Sequence, residues 1–448
     1  MKKLFILPLA LLISFFSTAN NPDEGMWIPL HLKNMNEADM KKLGLELGAD
    51  DLYNVAKSSL KDAIVRLNNG GCTAEIVSGE GLVFTNHHCA YGAIWDAIDK
   101  SLINKESYKK NGFWSMSQNE EIGGLQLNAG ILMSIEKVTN KVYPELEKTD
   151  SEEARSAKLR ELAAELEKEA EGDNQFIDAQ LKEMFAGNEY YLYTYKVYQD
   201  VRLVGSPPES IGKFGGDTDN WMWPRHTGDF AILRIYADDK NEPAEYSENN
   251  KPYTPKHFLP VSIEDKKPGD FSMIMGYPGT TERYLTSYDL ETKLNYTLPA
   301  RVETRAVVLD VMGKYMAQDD KLDTRLKSKR ARIANYWKLW SGQMQMARLY
   351  DLTSEQEKED QELKAWIEDD NRRINRFGSV LAGIENHNKM VQEVDPYTAS
   401  YTEGFFNSET FIAGVRAAIA ANTQVQLKAL EGKKDELGED YAKQKEAL

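Results

Sequence analysis

The stretch Gly81-Leu82-Val83-Phe84-Thr85-Asn86-His87-His88-Cys89 decides how the rest of the chain is interpreted. Its first half is apolar and rich in residues that favour strands, and two histidines and a cysteine follow directly. The only other cysteine in the sequence is Cys72. This combination predicts a strand that ends in a histidine and is tied through Cys89 to the strand before it.

Further short β-prone runs lie on both sides of this stretch and are separated by glycines and other turn residues. Such spacing is typical of antiparallel strands in a barrel or a sandwich. The predicted strands cover residues 62–67, 72–78, 81–86, 125–139, 200–205, 228–237 and 271–276.

Helical periodicity dominates two other parts of the chain. Residues near 143–199 are predicted to form a charged helical insertion, with acids in the first turn at Glu152 and Glu153. Beyond residue 284 the pattern is helical to the end, with one break predicted at Pro396. The predicted helices there cover residues 309–316, 331–349, 355–380 and 411–430. The open helical pattern of 439–448 is compatible with a natural C-terminus and with a chain cut within a domain.

The N-terminus has the layout of a secretory signal peptide. Lys2 and Lys3 precede an apolar run, Leu4 to Phe16, that is too short to span a bilayer. Small residues place the cleavage after Ala19, and an uncleaved anchor is the alternative. Together with the strand and helix patterns above, this layout predicts three parts of the chain. They are a signal peptide at 1–19, a first β-barrel at 20–283 and a truncated helical cap at 284–448.

Charge and cysteine content narrow the class of protein further. The 448 residues carry a formal net charge of −16, which argues against binding to nucleic acid or to an anionic membrane surface. Export permits a disulfide, and two cysteines allow only the pair Cys72–Cys89. Two buried thiols are the alternative.

His88 is the candidate catalytic base. In a serine-peptidase triad an imidazole takes the proton of the nucleophile and a buried carboxylate fixes its tautomer. Successive strand residues face opposite sides, and the position next to Cys89 selects His88 over His87. Two ordinary polar histidines are one alternative. A zinc site made of these histidines, Cys72 and Cys89 is another, although adjacent strand residues do not easily bind one ion.

Asp229 is the candidate for the carboxylate, because it opens the apolar run of residues 228–237 and can be partly buried there. An edge-strand acid with a lysine partner is the alternative. Asp217 and Asp219 lie in a glycine-rich stretch, where turn capping is the simpler explanation.

The sequence contains no serine in the Gly-x-Ser-Gly setting that would place an oxyanion hole beside a nucleophile. Its only Ser-Gly steps are Ser78-Gly79 and Ser341-Gly342, and neither has glycine two residues before the serine. A second barrel is missing as well. We therefore expect the nucleophile to lie outside these residues and the 448-residue chain to be inactive alone.

Several motifs resemble the exported bacterial serine dipeptidyl peptidases of the dipeptidyl-peptidase seven and eleven type. The resemblance covers the chain from about Asp23 to its end. It is carried by Asp23-Glu24-Gly25-Met26-Trp27, Thr85-Asn86-His87-His88-Cys89, Asp219-Asn220-Trp221-Met222-Trp223-Pro224-Arg225-His226-Thr227-Gly228-Asp229-Phe230, Gly276-Tyr277-Pro278-Gly279-Thr280-Thr281-Glu282-Arg283-Tyr284 and Asn335-Tyr336-Trp337-Lys338-Leu339-Trp340.

The resemblance implies a mixed α and β fold, with a chymotrypsin-like antiparallel β-barrel, the first of two, followed by a large helical domain. It implies that His88 is the base and Asp229 the residue that orients it. It also implies that Asn220, Trp221 and Asn335 hold the free amino terminus of a substrate.

The expected activity is release of dipeptides from the free N-terminus of peptides by a serine-type dipeptidyl aminopeptidase. The alternative is an exported peptide-binding protein, without catalysis, on a peptidase-like barrel. We expect peptide substrates, no metal or other cofactor, no nucleic acid and no membrane span, and the family allows a homodimer. The expected location is periplasmic or at the cell surface.

Overall fold

The computed structural model of the chain describes residues 26–216, 220–280, 282, 285–431, 434 and 445. Several residues that the sequence singles out lie outside these ranges. They are the predicted signal peptide, residues 23–25, Asp217, Asp219, residues 281, 283 and 284, and the final stretch 439–448 apart from Lys445.

The chain divides into two compact units. One comprises Met1–Pro208 and Phe230–Gly279, and we call it the sheet unit. The other comprises Glu209–Asp229 and Thr280–Leu448, and we call it the helical unit. The predicted domains assigned residues 209–229 to the barrel, whereas here they group with the helices. The reason is a set of hydrogen bonds between this segment and a long helix, described below.

In the described part of the chain, one ten-stranded antiparallel sheet forms the centre of the sheet unit. Its strands are β1 (Ile64–Leu67), β2 (Cys72–Ile76), β3 (Leu82–Thr85), β4 (Phe113–Trp114), β5 (Ala129–Lys137), β6 (Ile177–Met184), β7 (Glu189–Tyr198), β8 (Val201–Ser206), β9 (Ala231–Ala237) and β10 (Lys251–Pro252).

The strands follow the order β4-β8-β9-β3-β2-β1-β5-β7-β6, with β10 paired to β9. This path is open, because no pairing among the described strands joins β4 to β6. The mixed fold with a large antiparallel sheet is confirmed. The closed barrel expected from the sequence is not, since the order of pairing leaves two sheet edges.

Helices pack around this sheet. They are α1 (Leu32–Met35), α2 (Glu37–Lys42), α3 (Ala49–Leu52), α4 (His87–Asp99), α5 (Lys105–Asn111), α6 (Thr139–Leu146) and α7 (Glu152–Glu171), with 3₁₀ turns at Pro29–His31, Leu60–Ala63, Asn68–Gly70 and Gln118–Glu120. The largest apolar core lies between α4 and the strands. Buried residues of α4, such as Ala90 and Ile94, share this core with Val65, Val83 and Leu233.

The region 143–199 is only half helical, so the predicted helical insertion is wrong in its second part. After α6 and α7 the chain forms β6 and β7, the last two strands of the sheet. Aromatic and β-branched residues favour strand here, and Tyr191 and Tyr195 are buried. Burial also raises the pKa of Tyr193 to about 12, so its phenol stays neutral at physiological pH.

The edge strand β6 is covered by carboxylates of α7. Glu171 Oε1 accepts the backbone N–H of Ala179 at 3.0 Å, and Glu167 Oε1 accepts that of Leu181 at 2.8 Å. The distance between alternate residues of a strand is close to the distance between residues one turn apart on a helix. Two outward-facing backbone N–H groups of β6 therefore gain carboxylate partners on α7. The helix thereby blocks an edge that could otherwise pair with another chain.

Residues 271–276 do not form the strand predicted for them. The backbone N–H of Tyr277 instead donates to Thr73 Oγ1 of β2 at 2.9 Å. Gly276 makes this approach possible, because a Cβ added there would lie 2.7 Å from the same oxygen. The residue that follows this run is therefore held to β2 by a side-chain hydrogen bond and not by strand pairing.

The helical unit consists of α8 (Glu209–Gly212), α9 (Ser287–Thr292), a π-helical turn (Lys293–Thr297), α10 (Leu298–Met316), α11 (Asp320–Leu349), α12 (Leu352–Glu368), α13 (Asn371–Phe377), α14 (Val380–Phe405) and α15 (Glu409–Glu431). Helices beyond residue 284 were predicted, and they are confirmed for the described residues. No helix among these residues is long and apolar enough to cross a membrane.

The break predicted at Pro396 is wrong, because Pro396 lies inside α14. Tertiary contacts hold the helix on both sides of the proline. Before it, Asn388 is buried and donates to Asp289 Oδ1 at 2.8 Å. After it, Glu403 is buried and accepts from Arg305 at 2.7 Å.

Candidate functional site

The two histidines open a helix and do not end a strand, so that part of the prediction is wrong. β3 ends at Thr85, Asn86 is the N-cap residue with φ −77° and ψ 149°, and α4 begins at His87. Asparagine is a favoured N-cap residue. Burial of Ala90, Ala93, Ile94 and Ala97 follows a helical period, and this was the signal in the sequence that could have found the helix.

The helix separates the two imidazoles. Successive residues of an α-helix point about 100° apart, so neighbours face different surroundings. His87 is 1% exposed, and its Nε2 lies 2.9 Å from the hydroxyl of Tyr108 on α5. His88 is exposed. His88 is therefore open to solvent and His87 is not, and the choice of His88 as the base stays a prediction.

The predicted disulfide between Cys72 and Cys89 is confirmed, with a Cα–Cα distance of 6.0 Å. It joins the first strand residue of β2 to the first turn of α4. A ring nitrogen of His88 and the two sulfurs lie within 4.8 Å of one another. Sulfurs in a disulfide offer no thiolate to a metal, which removes the ligands that the zinc alternative needs.

We expect loss of this disulfide to destabilise the first turn of α4. It closes a loop with a sequence separation of 17, for which chain entropy gives about 3 kcal/mol of stabilisation. The double variant C72S/C89S should lower the free energy of unfolding by roughly this amount in urea denaturation.

Reductant added to C72S/C89S serves as the control and should change nothing further. Equal unfolding midpoints for the oxidised native protein and C72S/C89S would contradict the prediction.

Asp229 is the last residue of the segment 209–229 of the helical unit, and it is bonded to Phe230, where the sheet unit resumes. It precedes β9 by two residues, so the predicted strand 228–237 begins later than expected, at Ala231. Asp229 itself is half-buried. Its role as partner of His88 stays a prediction.

The structure brings together the three residues predicted to bind substrate, and we call Asn220, Trp221 and Asn335 the amide cluster. Asn335 lies on α11, and its Oδ1 accepts from Asn220 Nδ2 at 2.5 Å and from Trp221 Nε1 at 3.1 Å. Trp221 Nε1 is also 3.1 Å from the backbone oxygen of Asn335. These bonds attach the segment 209–229 to the helices.

Arg225 and Thr227 support the amide cluster, and the sequence analysis missed both. Arg225 donates from Nη1 to Asn220 Oδ1 at 3.2 Å and from Nε to Thr227 Oγ1 at 3.2 Å. Thr227 in turn donates to the backbone oxygen of Phe214 at 2.7 Å. Trp221 has φ +59°, a left-handed conformation that is uncommon for a bulky residue and that these bonds stabilise.

Beneath the amide cluster, Arg305 of α10 fixes the part of α11 that carries Asn335. Its Nε donates to Glu403 Oε2 of α14 at 2.7 Å, and its Nη1 donates to the backbone oxygen of Ile333 at 3.1 Å. Its guanidinium carbon also lies 4.5 Å from the ring centroid of Trp340. A bonded guanidinium stacked on an aromatic ring is a rigid support.

The chain belongs to the peptidase S46 family, whose model matches residues 22–447. Over 99% of this chain, it is 39% identical to the Asp/Glu-specific dipeptidyl-peptidase of Capnocytophaga gingivalis. Over 75% of this chain, it is 44% identical to dipeptidyl-peptidase 7 of Phocaeicola vulgatus.

A solved structure is similar over much of the chain. The crystal structure of Porphyromonas endodontalis DPP11 in complex with the dipeptide Arg-Glu matches 86% of this chain with a TM-score of 0.75 and 38% identity. The chain spans only part of these proteins: 60% of the Capnocytophaga relative, 47% of the Phocaeicola relative and 55% of the DPP11 chain.

Proposed function

We propose that this chain is part of a serine-type dipeptidyl aminopeptidase that releases dipeptides from the free N-terminus of peptides. Membership of the peptidase S46 family is the observation that carries the proposal. The names of the relatives and the dipeptide in the DPP11 crystal support it. The finer fold proposal is that the open sheet corresponds to the first barrel of a chymotrypsin-like pair.

In this proposal His88 is the general base and Asp229 orients it. β3 and β9 pair antiparallel, and Thr85 lies opposite Ala231. His88 follows Thr85 by three residues, and Asp229 precedes Ala231 by two. Both residues thus lie a few residues from the same Thr85–Ala231 pair. This short separation supports a base and a carboxylate at the same end of the β3–β9 pair. In this proposal the catalytic serine comes from outside the 448 residues, which contain no Gly-x-Ser-Gly motif.

The amide cluster would bind the substrate's α-ammonium group. An exopeptidase that removes two residues must hold a charged amine at a fixed distance from the scissile carbonyl. Amide oxygens can accept hydrogen bonds from an ammonium, and each has two lone pairs. In this proposal Asn220 and Asn335 supply the oxygens, and the exposed ring of Trp221 bounds the site. Because Asn335 Oδ1 already accepts from Asn220 and from Trp221, the ammonium would replace one of these two donors.

The remaining proposals concern setting and partners. Residues 1–19 would direct export to the periplasm or the cell surface. Peptides would be the substrates, a homodimer would be compatible with the fold, and neither a metal nor another cofactor takes part in the proposed chemistry. The net charge of −16 supports the exclusion of nucleic acid.

The deciding experiment expresses the complete reading frame and measures dipeptide release from a peptide and from its Nα-acetylated form. We expect release only from the free peptide, because acetylation removes the charge that the amide cluster would bind. Cleavage of both forms would indicate an endopeptidase. Binding of the free peptide without any cleavage would favour the non-catalytic peptide-binding protein.

Replacing Asn335 tests the amine site directly. N335A removes an oxygen acceptor, and hydrogen bonds to charged groups contribute about 1.5–3 kcal/mol. We expect KM for peptides with a free N-terminus to rise about 10- to 100-fold in the complete protein. Steady-state kinetics on a chromogenic dipeptide substrate measures this change.

The matched control is N371A, because Asn371 is an exposed asparagine at the start of α13 in the same unit. An unchanged KM for N335A, with N371A also unchanged, would remove Asn335 from the amine site.

A further inference from the structure

His87 has no part in the proposed chemistry, yet it is among the most buried polar residues of the sheet unit. It begins α4 and is 1% exposed. Its Nε2 lies 2.9 Å from the hydroxyl of Tyr108, which is 1% exposed, and that hydroxyl lies 3.3 Å from Oγ of Ser206. Ser206, at the end of β8, is fully buried and its Oγ contacts the backbone oxygen of Pro207 at 3.2 Å.

The direction of these hydrogen bonds follows from the last of them. A backbone carbonyl only accepts, so Ser206 donates its hydroxyl proton to Pro207. The Ser206 oxygen is then the acceptor for the Tyr108 hydroxyl, and the Tyr108 oxygen is the acceptor for His87. His87 therefore carries its proton on Nε2. This is the assignment that satisfies all three contacts, and such a buried hydrogen-bonded chain holds its members in one arrangement.

His88 stands between two anchored neighbours. On one side Cys89 is bonded to Cys72 of β2, and on the other His87 is hydrogen-bonded to Tyr108 of α5. The backbone N–H of Cys89 also donates to the oxygen of Asn86 at 3.1 Å, which closes the first turn of α4. The first turn is thus fixed from β2, from α5 and, through Ser206, from β8.

We propose that His87, Tyr108 and Ser206 are positioning residues that set the rotation of the first turn of α4 and thereby aim the imidazole of His88. This inference rests on the proposed function of His88 as the base. The rate of catalysis depends strongly on the position of the base, because a displacement of about 1 Å can lower the rate about 10²-fold.

Three variants of the complete protein test the proposal. Y108F removes one oxygen and keeps the ring, H87L removes the donor, and H87Q keeps an N–H at the place of Nε2. We expect kcat to fall about 10-fold in Y108F and about 100-fold in H87L, with KM unchanged, while H87Q stays within about threefold of the native protein.

The matched control is Y53F. The Tyr53 hydroxyl is also buried and accepts the backbone N–H of Ile135 at 2.8 Å, but it lies in a different apolar cluster. A contribution to stability alone would lower the melting temperature of Y53F and Y108F alike and leave both kcat values unchanged. That result, or an H87Q variant as impaired as H87L, would overturn the proposal.

A second readout does not depend on activity. The readout is the NMR spectrum of protein with isotope-labelled histidines. Comparison with the spectrum of H88A assigns the His88 ring signal among the six histidines of the chain. We expect H87L and Y108F to shift this signal, and Y53F to leave it in place. If the complete protein released no dipeptides while these shifts occurred, the proposed function would fail and the positioning inference would stand. An unmoved His88 signal in both variants would overturn it.

Discussion

Replacing His88 with alanine should lower kcat/KM for dipeptide release by about 10⁴-fold or more in the complete protein, since loss of a triad base removes activation of the nucleophile. Folding should be preserved, because the His88 side chain is exposed while the apolar residues of α4 remain in the core. The measurement is steady-state kinetics, with circular dichroism to confirm that H88A is folded.

The matched control for this variant is H387A, since His387 is an exposed histidine on α14 of the helical unit. It should have native kinetics. Should H88A keep activity within about tenfold of native, the loss would be too small for a base that generates the nucleophile, and His88 would lose its role.

Replacing Asp229 with asparagine should lower kcat by about 10⁴-fold with little change in KM. Asparagine keeps the shape of the side chain but offers an N–H where the imidazole needs an acceptor, so the ring adopts the wrong tautomer. In the proposed mechanism this carboxylate does not bind substrate, which is why KM should be preserved. Kinetics with the same chromogenic dipeptide separates kcat from KM.

D265N is the control for this substitution, because Asp265 is an exposed aspartate in the irregular part of the sheet unit. Near-native kcat in D229N together with an inactive H88A would mean that another acid orients the imidazole. Asp217 and Asp219 would then be the next candidates.

Much of the sheet could be predicted from the sequence, because strand formation leaves a local pattern. The described strands β1, β2, β3, β5 and β9 lie within the predicted runs, and β8 extends one residue beyond its run. Each run has β-prone residues, and glycines or other turn residues separate them. The disulfide followed from cysteine count and export alone.

The errors arose where tertiary contacts outweigh local preference. The strand predicted to end at His88 stops at Thr85, and α4 begins at His87, because alanines at helical spacing bury against the sheet. Residues 271–276 form no strand, and Tyr277 beyond them bonds to the Thr73 side chain instead of joining a ladder. Pro396 did not break α14, because buried contacts hold both sides of it.

The amide cluster shows the other limit of sequence reasoning. Asn220 and Trp221 are more than 100 residues from Asn335, with separations of 115 and 114. No local pattern links positions that far apart, and only the resemblance to a family grouped them. The support from Arg305 could not be predicted, since it depends on the packing of α10, α11 and α14. The support from Arg225 depends on the irregular backbone path of residues 220–227.

The most direct test of the account is the double variant H88A/D229N, measured beside the two single variants in the complete protein. If the carboxylate acts only through the imidazole, its removal costs nothing once the imidazole is gone. We therefore predict that kcat/KM of H88A/D229N equals that of H88A. A double variant whose loss is the product of the two single losses would show independent roles and contradict the account.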